Sequence, residues 1–151
     1  MFRISQFIRE LDHLTPAGPR RNPPGPVVIW NLIRRCNLTC EHCYSISADK
    51  DFPGELNTEE VFKVMDDLKA ARVPVLILSG GEPLLRPDIF DIARRAKGMG
   101  FYVGLSSNGT LIDESNIDAI DEIGFDYVGV SLDGIGATHD HRSEEHTSEL
   151  Q

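Results

Sequence analysis

The sequence predicts an α/β fold built on a parallel sheet or partial barrel, and three observations predict it. Four short apolar runs alternate with three amphipathic stretches, the links between them are short, and each apolar run ends in a cluster of unusual polar residues. At 151 residues the chain is long enough for one domain with a core and too short for two ordinary ones.

Taken in order, residues 1–12 read as a short amphipathic helix and lead into a Pro- and Gly-rich linker. Pro23, Pro24 and Pro26 rule out a helix interior or a central strand there, so residues 16–26 are extended, and residues 1–26 together make an N-terminal lead-in and Pro-rich linker. Residues 27–33, Val-Val-Ile-Trp-Asn-Leu-Ile, are a near-continuous apolar run of the kind that marks a strand buried on both faces. After a cysteine-bearing loop, Asn57 and Glu60 form a capping-box pattern that opens a helix with Val61, Met65 and Leu68 on one face. Residues 75–78 are the second buried strand. Pro87 suits the first turn of the next helix, whose apolar stripe is Ile89, Phe90, Ala93 and Ala96. Residues 101–106 make the third strand. Ile117, Ile120 and Ile123 mark a third helix closed by Gly124, and residues 126–131 are the fourth strand.

The core is thus expected over residues 27–141. The last ten residues, 142–151, hold no core-forming residue except Leu150. Through the genetic code they match one reading frame of a widely used sequencing-library adapter, so they are expected to be a non-native tail.

Composition narrows the function. Hydrophobic residues at 40% and charged residues at 26% fit a soluble globular protein. The formal net charge of −9 argues against nucleic acid, whose phosphates need clustered Lys and Arg. No apolar run approaches the ~20 residues that span a bilayer, and residues 1–8 are too broken by polar groups for a secretory segment. The expectation is a cytoplasmic protein with no membrane partner. Three cysteines packed into residues 36–43 are not a disulfide framework.

In βαβ folds ligands bind at the carboxyl ends of the strands. After the first strand comes Arg34-Arg35-Cys36-Asn37-Leu38-Thr39-Cys40-Glu41-His42-Cys43, and after the second Ser79-Gly80-Gly81-Glu82-Pro83. The third ends in Ser106-Ser107-Asn108-Gly109-Thr110 and the fourth in Ser131-Leu132-Asp133-Gly134. A structural protein has little reason to send such residues to one rim. A cofactor site has.

Thiolates are soft ligands that suit zinc and iron–sulfur clusters. Three of them can hold three corners of a [4Fe–4S] cube and leave the fourth iron open to a chelating substrate or cofactor. Zinc needs a fourth ligand, and His42 is the candidate, but it adjoins Cys43, whereas structural zinc sites take ligands in pairs from two separated places. In residues 80–83 two glycines let the backbone approach a ligand, Pro83 fixes the turn, and Glu82 is expected to face the rim with its charge available to an ammonium group. An ordinary turn with an exposed Glu is the plain alternative. Ser106, Ser107 and Asn108 can hydrogen-bond a ribose or a carboxylate, with Gly109 giving access, and Ser131 and Asp133 offer the same chemistry. Asn-Gly and Asp-Gly turns are the plain alternatives for these two ends. Arg34 and Arg35 either offset the charge of a thiolate-bound cluster or are solvated surface charges. His139, His141 and Trp30 read as structural or surface residues.

Cys36-x₃-Cys40-x₂-Cys43 followed by Gly80-Gly81-Glu82-Pro83 on the next strand resembles the radical-SAM superfamily over roughly residues 27–134. That family commonly has an aromatic residue before its third cysteine, where this chain has His42. The resemblance implies a parallel (β/α) partial TIM-type barrel, truncated here after about four strands. It implies that Cys36, Cys40 and Cys43 hold a [4Fe–4S] cluster whose open iron chelates S-adenosylmethionine (SAM). Gly80, Gly81, Glu82 and Pro83 would receive the SAM amino group, and Ser107, Asn108 and Ser131 match polar positions where the family contacts SAM. Reductive cleavage of SAM to a 5′-deoxyadenosyl radical is the implied chemistry.

A narrower resemblance is carried by Pro19-Arg20-Arg21-Asn22-Pro23-Pro24-Gly25-Pro26-Val27-Val28-Ile29-Trp30-Asn31 before the cysteine loop and by Tyr44-Ser45-Ile46-Ser47-Ala48-Asp49-Lys50-Asp51 after it. Both are similar to the radical-SAM family of haem d1 biosynthesis (NirJ type). This implies a sirohaem-derived tetrapyrrole substrate modified at its propionate side chains, and a C-terminal extension with further cysteines that is absent here. The chain is therefore expected to be an N-terminal portion, inactive on substrate alone. A reduced flavodoxin or ferredoxin would fit as electron donor. A radical-SAM haem-synthesis decarboxylase or peptide-modifying maturase remains open. So does a zinc-binding structural module using Cys36, Cys40, Cys43 and His42.

Overall fold

The structure, a computed structural model, describes residues 25–40 and 43–132. The expected helix at 1–12, nearly all of the lead-in and the expected tail lie outside these residues. Strand β1 (Val27–Asn31) is followed by α1 (Thr58–Ala70), β2 (Val75–Ser79), a 3₁₀ turn (Pro83–Leu85), α2 (Ile89–Gly98), β3 (Tyr102–Ser107), α3 (Ile117–Ile123) and β4 (Tyr127–Val130). The four strands form one parallel sheet in the order β1-β2-β3-β4. The alternation of apolar runs and amphipathic stretches is what this architecture needs, because each parallel neighbour must be reached by a crossover.

Each helix forms where its ends are specified. The Asn57 side chain accepts from Glu60 N at 3.0 Å while the Glu60 carboxylate accepts from Asn57 N at 2.9 Å, which closes the capping box of α1. Gly124 ends α3 in the left-handed conformation at φ 64°. Pro87 stands just ahead of α2 rather than in its first turn, because Asp88 is the capping residue and its side chain is engaged by Arg86 instead of by the helix.

The core lies between the helices and one face of the sheet. Leu76, Leu78 and Val103 meet Val61 and Met65 of α1, Ile89, Ile92, Ala93 and Ala96 of α2, and Ile123 of α3. The most buried of these, such as Leu76 and Ile92, are at 0% exposure. Truncating either to alanine is worth about 2–5 kcal/mol. The opposite face is different: Ile29, Ile77, Gly104 and Tyr127 line up across the four strands, and Ile29 is 65% exposed.

That row corrects the expectation that residues 27–33 are buried on both faces. β1 is an edge strand, and only its Val28 and Trp30 face pack against the core, while Leu32 and Ile33 are buried beyond the strand's end. Continuous apolarity means two-sided burial only where both faces are covered. Among the described residues no helix is long and apolar enough to cross a membrane.

Candidate cofactor site

All four strands point their carboxyl ends to the same rim, and the backbone there stays paired after the strands have ended. Leu32 N donates to Ser79 O at 3.0 Å, Gly81 N to Ile33 O at 2.7 Å, and Glu82 N to Arg35 O at 2.9 Å. This is why two glycines stand here. A Cβ on Gly80 would lie 2.3 Å from Ile33 O, and one on Gly81 would lie 2.3 Å from Arg35 O. The glycines let the second strand end press against the chain that carries Cys36.

Glu82 departs from expectation in its side chain. It is at 0% exposure, and its carboxylate accepts from Leu84 N at 3.0 Å and Asn108 N at 2.8 Å, with the Ser107 hydroxyl 3.0 and 3.1 Å from its two oxygens. The Ser107 oxygen in turn accepts from Gly109 N at 2.9 Å. A buried carboxylate needs such donors. Here they come from the ends of β2 and β3, so Glu82 ties two strand ends together instead of presenting its charge to the rim. Pro83 opens the 3₁₀ turn that follows and is itself buried.

Asn108 carries the connection onward to the cysteines. Its side-chain amide donates to Asn37 Oδ1 at 3.0 Å and lies 3.8 Å from Cys36 Sγ, and Asn37 donates to Thr110 Oγ1 at 2.8 Å. The Thr110 hydroxyl donates to Asn108 Oδ1 at 2.7 Å. Ser107 and Asn108 thus meet residues 80–83 on one side and the cysteine loop on the other. Ser131 is exposed and joins the rim through its backbone, donating to Ser107 O at 3.0 Å. Asp133, Gly134 and His42 lie outside the described residues.

The cysteine loop is closed at its base by a bridge between Arg35 and Ala48, with Cys36 N donating to Ala48 O at 3.1 Å. Cys43 N donates to Cys40 O at 3.2 Å, which folds the middle of the loop. Cys36 is buried, Cys40 and Cys43 are half-buried, and none of the three is in a disulfide. Among the described residues no three His, Cys, Asp or Glu side chains converge as a ready-made single-ion site.

Burial pushes the Cys36 thiol up, and the negative Glu82 adds to this against the opposing hydrogen bonds from Leu38 N–H and Asn108. Burial acts the same way on Cys43, but hydrogen bonds from Ser45 and Ser47 outweigh it and bring that thiol down to about 7. Both serine oxygens are close, at 3.2 Å for Ser45 and 3.0 Å for Ser47. Arg34 and Arg35 brace this loop: Arg35 pairs with Asp49 and Asp51, while Arg34 lies over the Phe52 ring and donates to Ile46 O.

One buried group went unread in the sequence. Arg86, 7% exposed, pairs with Asp88 at 2.7 Å and donates to Leu32 O and Leu56 O, each at 2.9 Å. It joins the exit of β1, the approach to α1 and the turn after residues 80–83. The available signal was an arginine flanked by Pro83 and Pro87 and followed two residues on by Asp88.

A rim with a three-cysteine loop, a glycine pair and a Ser-Asn strand end defines the class. The chain belongs to the radical SAM superfamily, whose family model matches residues 30–149. It is 55% identical over 140 residues to the pre-heme d1 synthase of Dinoroseobacter shibae, an alignment covering 93% of this chain and 35% of that protein. It is 49% identical over 115 residues to the Fe-coproporphyrin III synthase of Methanosarcina barkeri, covering 76% of this chain and 29% of that one. Among solved structures, native anSMEcpe with bound AdoMet superposes with a TM-score of 0.59 at 27% identity, covering 77% of this chain and 34% of that chain. The fold is that of a partial radical-SAM barrel. The chain spans about a third of the length of these curated relatives, 35% of one and 29% of the other.

Proposed function

We propose that Cys36, Cys40 and Cys43 hold a [4Fe–4S] cluster and that SAM lies along the rim made by residues 80–83, Ser107, Asn108 and Ser131. On this reading the chain is the radical-generating part of an enzyme that modifies tetrapyrrole side chains. The observation that carries it is the single connected rim: the glycine pair sits against the backbone before Cys36, and Asn108 spans Glu82 and Cys36. The donor set fits a cluster, since three soft thiols share one braced loop.

When bound, the cluster and SAM together supply one-electron reductive cleavage of SAM to methionine and a carbon radical that takes a substrate hydrogen. The protein's own residues position the pair. With the Glu82 carboxylate already accepting from Leu84 N, Asn108 N and Ser107, the SAM ammonium group is left to the main chain of residues 80–83. The Glu82 carboxylate then acts one step back: with Ser107, which is 2% exposed and engaged by Glu82 and Gly109 N, it supports the strand end and holds Asn108 where it can meet the ribose or carboxylate of SAM.

The names of the two similar relatives, a pre-heme d1 synthase and a Fe-coproporphyrin III synthase, support a tetrapyrrole substrate. A sirohaem-derived ring is the substrate we assign, with a reduced flavodoxin or ferredoxin as the source of the electron. Anaerobic reconstitution with iron and sulfide tests the cofactor reading. The expected result is a brown protein whose visible spectrum changes when SAM is added and whose colour is lost in Cys40→Ala. Colourless protein that retains zinc would overturn it.

A further inference from the structure

Ser45 and Ser47 both place a hydroxyl on the same sulfur, at 3.2 and 3.0 Å from Cys43 Sγ. An ordinary extended segment does not do this. Side chains two residues apart on one face of a strand stand about 7 Å apart, and two oxygens on one sulfur must come closer than the extended chain leaves them. The backbone therefore has to curl between the serines, and it does so at Ile46, which has φ 50°.

That conformation is costly for a β-branched residue. Burial of its side chain does not offset the cost, because Ile46 is 76% exposed. What holds the curl is Arg34, whose guanidinium donates to Ile46 O at 3.3 Å while stacked 4.1 Å from the centre of the Phe52 ring. A strained residue and the arginine that grips it thus lie between two hydroxyls that share one sulfur.

Resting on the cluster reading above, we infer that Ser45 and Ser47 are positioning residues that clamp Cys43 Sγ by two O–H···S hydrogen bonds and so set how readily the cluster accepts its electron. In a free thiol either atom of each pair can donate. Once the sulfur is bound to iron it carries no proton, so both hydroxyls must donate to it. Hydrogen bonds to a ligating sulfur draw charge away from the iron and favour the reduced, more negative cluster. The clamp therefore raises the reduction potential of the cluster that must be reduced before SAM can be cleaved.

The test is a redox titration of reconstituted chain, followed by visible absorption and electron paramagnetic resonance, for wild type, S45A/S47A, S45T/S47T and the two single alanine variants. The double alanine variant should lower the reduction equilibrium constant about tenfold, which is about 59 mV for one electron. The threonine pair keeps both hydroxyls and should stay within about twofold of wild type, with the single variants between. A double alanine variant that holds a cluster at the wild-type potential overturns the inference. So does a double variant that takes up no cluster while both single variants keep the wild-type potential. Wild-type protein that takes up no cluster at all would instead remove the cluster reading, and the clamp with it.

Discussion

The two halves of the rim are held together by different physics. On the side of residues 80–83 and 107–108, the polar groups are buried and satisfied by one another: Glu82 is fully enclosed, Arg86 pairs with Asp88, and the glycine pair is in contact with the neighbouring backbone. On the cysteine side the braces are solvent-exposed ion pairs, with the Arg35, Asp49 and Asp51 side chains 42%, 63% and 93% exposed. Buried, saturated networks are rigid and costly to break, whereas exposed pairs contribute little. The half that would receive an organic ligand is therefore fixed by buried contacts, while the half that carries the thiols leans on exposed ion pairs around the contacts that hold Cys36 and Cys43.

The largest test of that contrast is Arg86→Ala. It takes the buried guanidinium away from the Leu32 and Leu56 carbonyls and from the part-buried Asp88, which keeps Thr58, and should cost about 3 kcal/mol by chemical denaturation. A pH signature accompanies it. Burial raises the Asp88 carboxyl, but Arg86 and Thr58 outweigh that and hold it below its ordinary 3.8. A depressed folded pKa contributes stability that is present above the unfolded value and lost as pH falls through the folded one. Wild type should therefore lose more stability than the variant as pH falls below about 3.8, because the variant keeps only the Thr58 contribution.

Gly81→Ala should come next, at about 1–3 kcal/mol, because the new methyl meets Arg35 O and must push two strand ends apart. A smaller effect, on reactivity rather than stability, separates the thiols. In metal-free chain, alkylation of Cys43 should rise along a curve centred near pH 7, while Cys36 responds only above the ordinary thiol value of 9.0. Peptide mapping at neutral pH should find Cys43 modified about tenfold faster. Equal rates would mean that the serines do not reach Cys43 in solution. Arg35→Ala is expected to leave the denaturation midpoint where it is, and a clear shift would erase the contrast between the halves.

Much of the fold was legible because it rests on period and punctuation. The capping box at Asn57 and Glu60, the helix marked by Ile117, Ile120 and Ile123, and Gly124 each have a local cause and appear where that cause puts them, although only Ile120 and Ile123 are buried and Ile117 is 46% exposed. The misreadings had non-local causes. Whether Ile29 is buried depends on what covers its side of the sheet, which residues 27–33 do not encode. Glu82 was legible as part of a site but not as a buried hub, since its partners Ser107 and Asn108 arrive from 25 and 26 residues away. Arg86 was overlooked for the same reason, as its acceptor Leu32 lies 54 residues back. The position of the rim could be read from the strand ends. The direction in which each side chain turns there could not.

The agreement between strand order in space and strand order in the chain has a consequence in time. Because β1, β2, β3 and β4 lie side by side in the sequence in which they are made, each can dock on a neighbour that already exists. The site would then be finished in steps as the chain emerges. Residues 80–81 first pin the backbone before Cys36, and the arrival of β3 brings Asn108 and locks Glu82 beneath it. A nascent chain halted before residue 108 would carry all three thiols and the glycine pair, yet lack the crosslink that joins them into one rim.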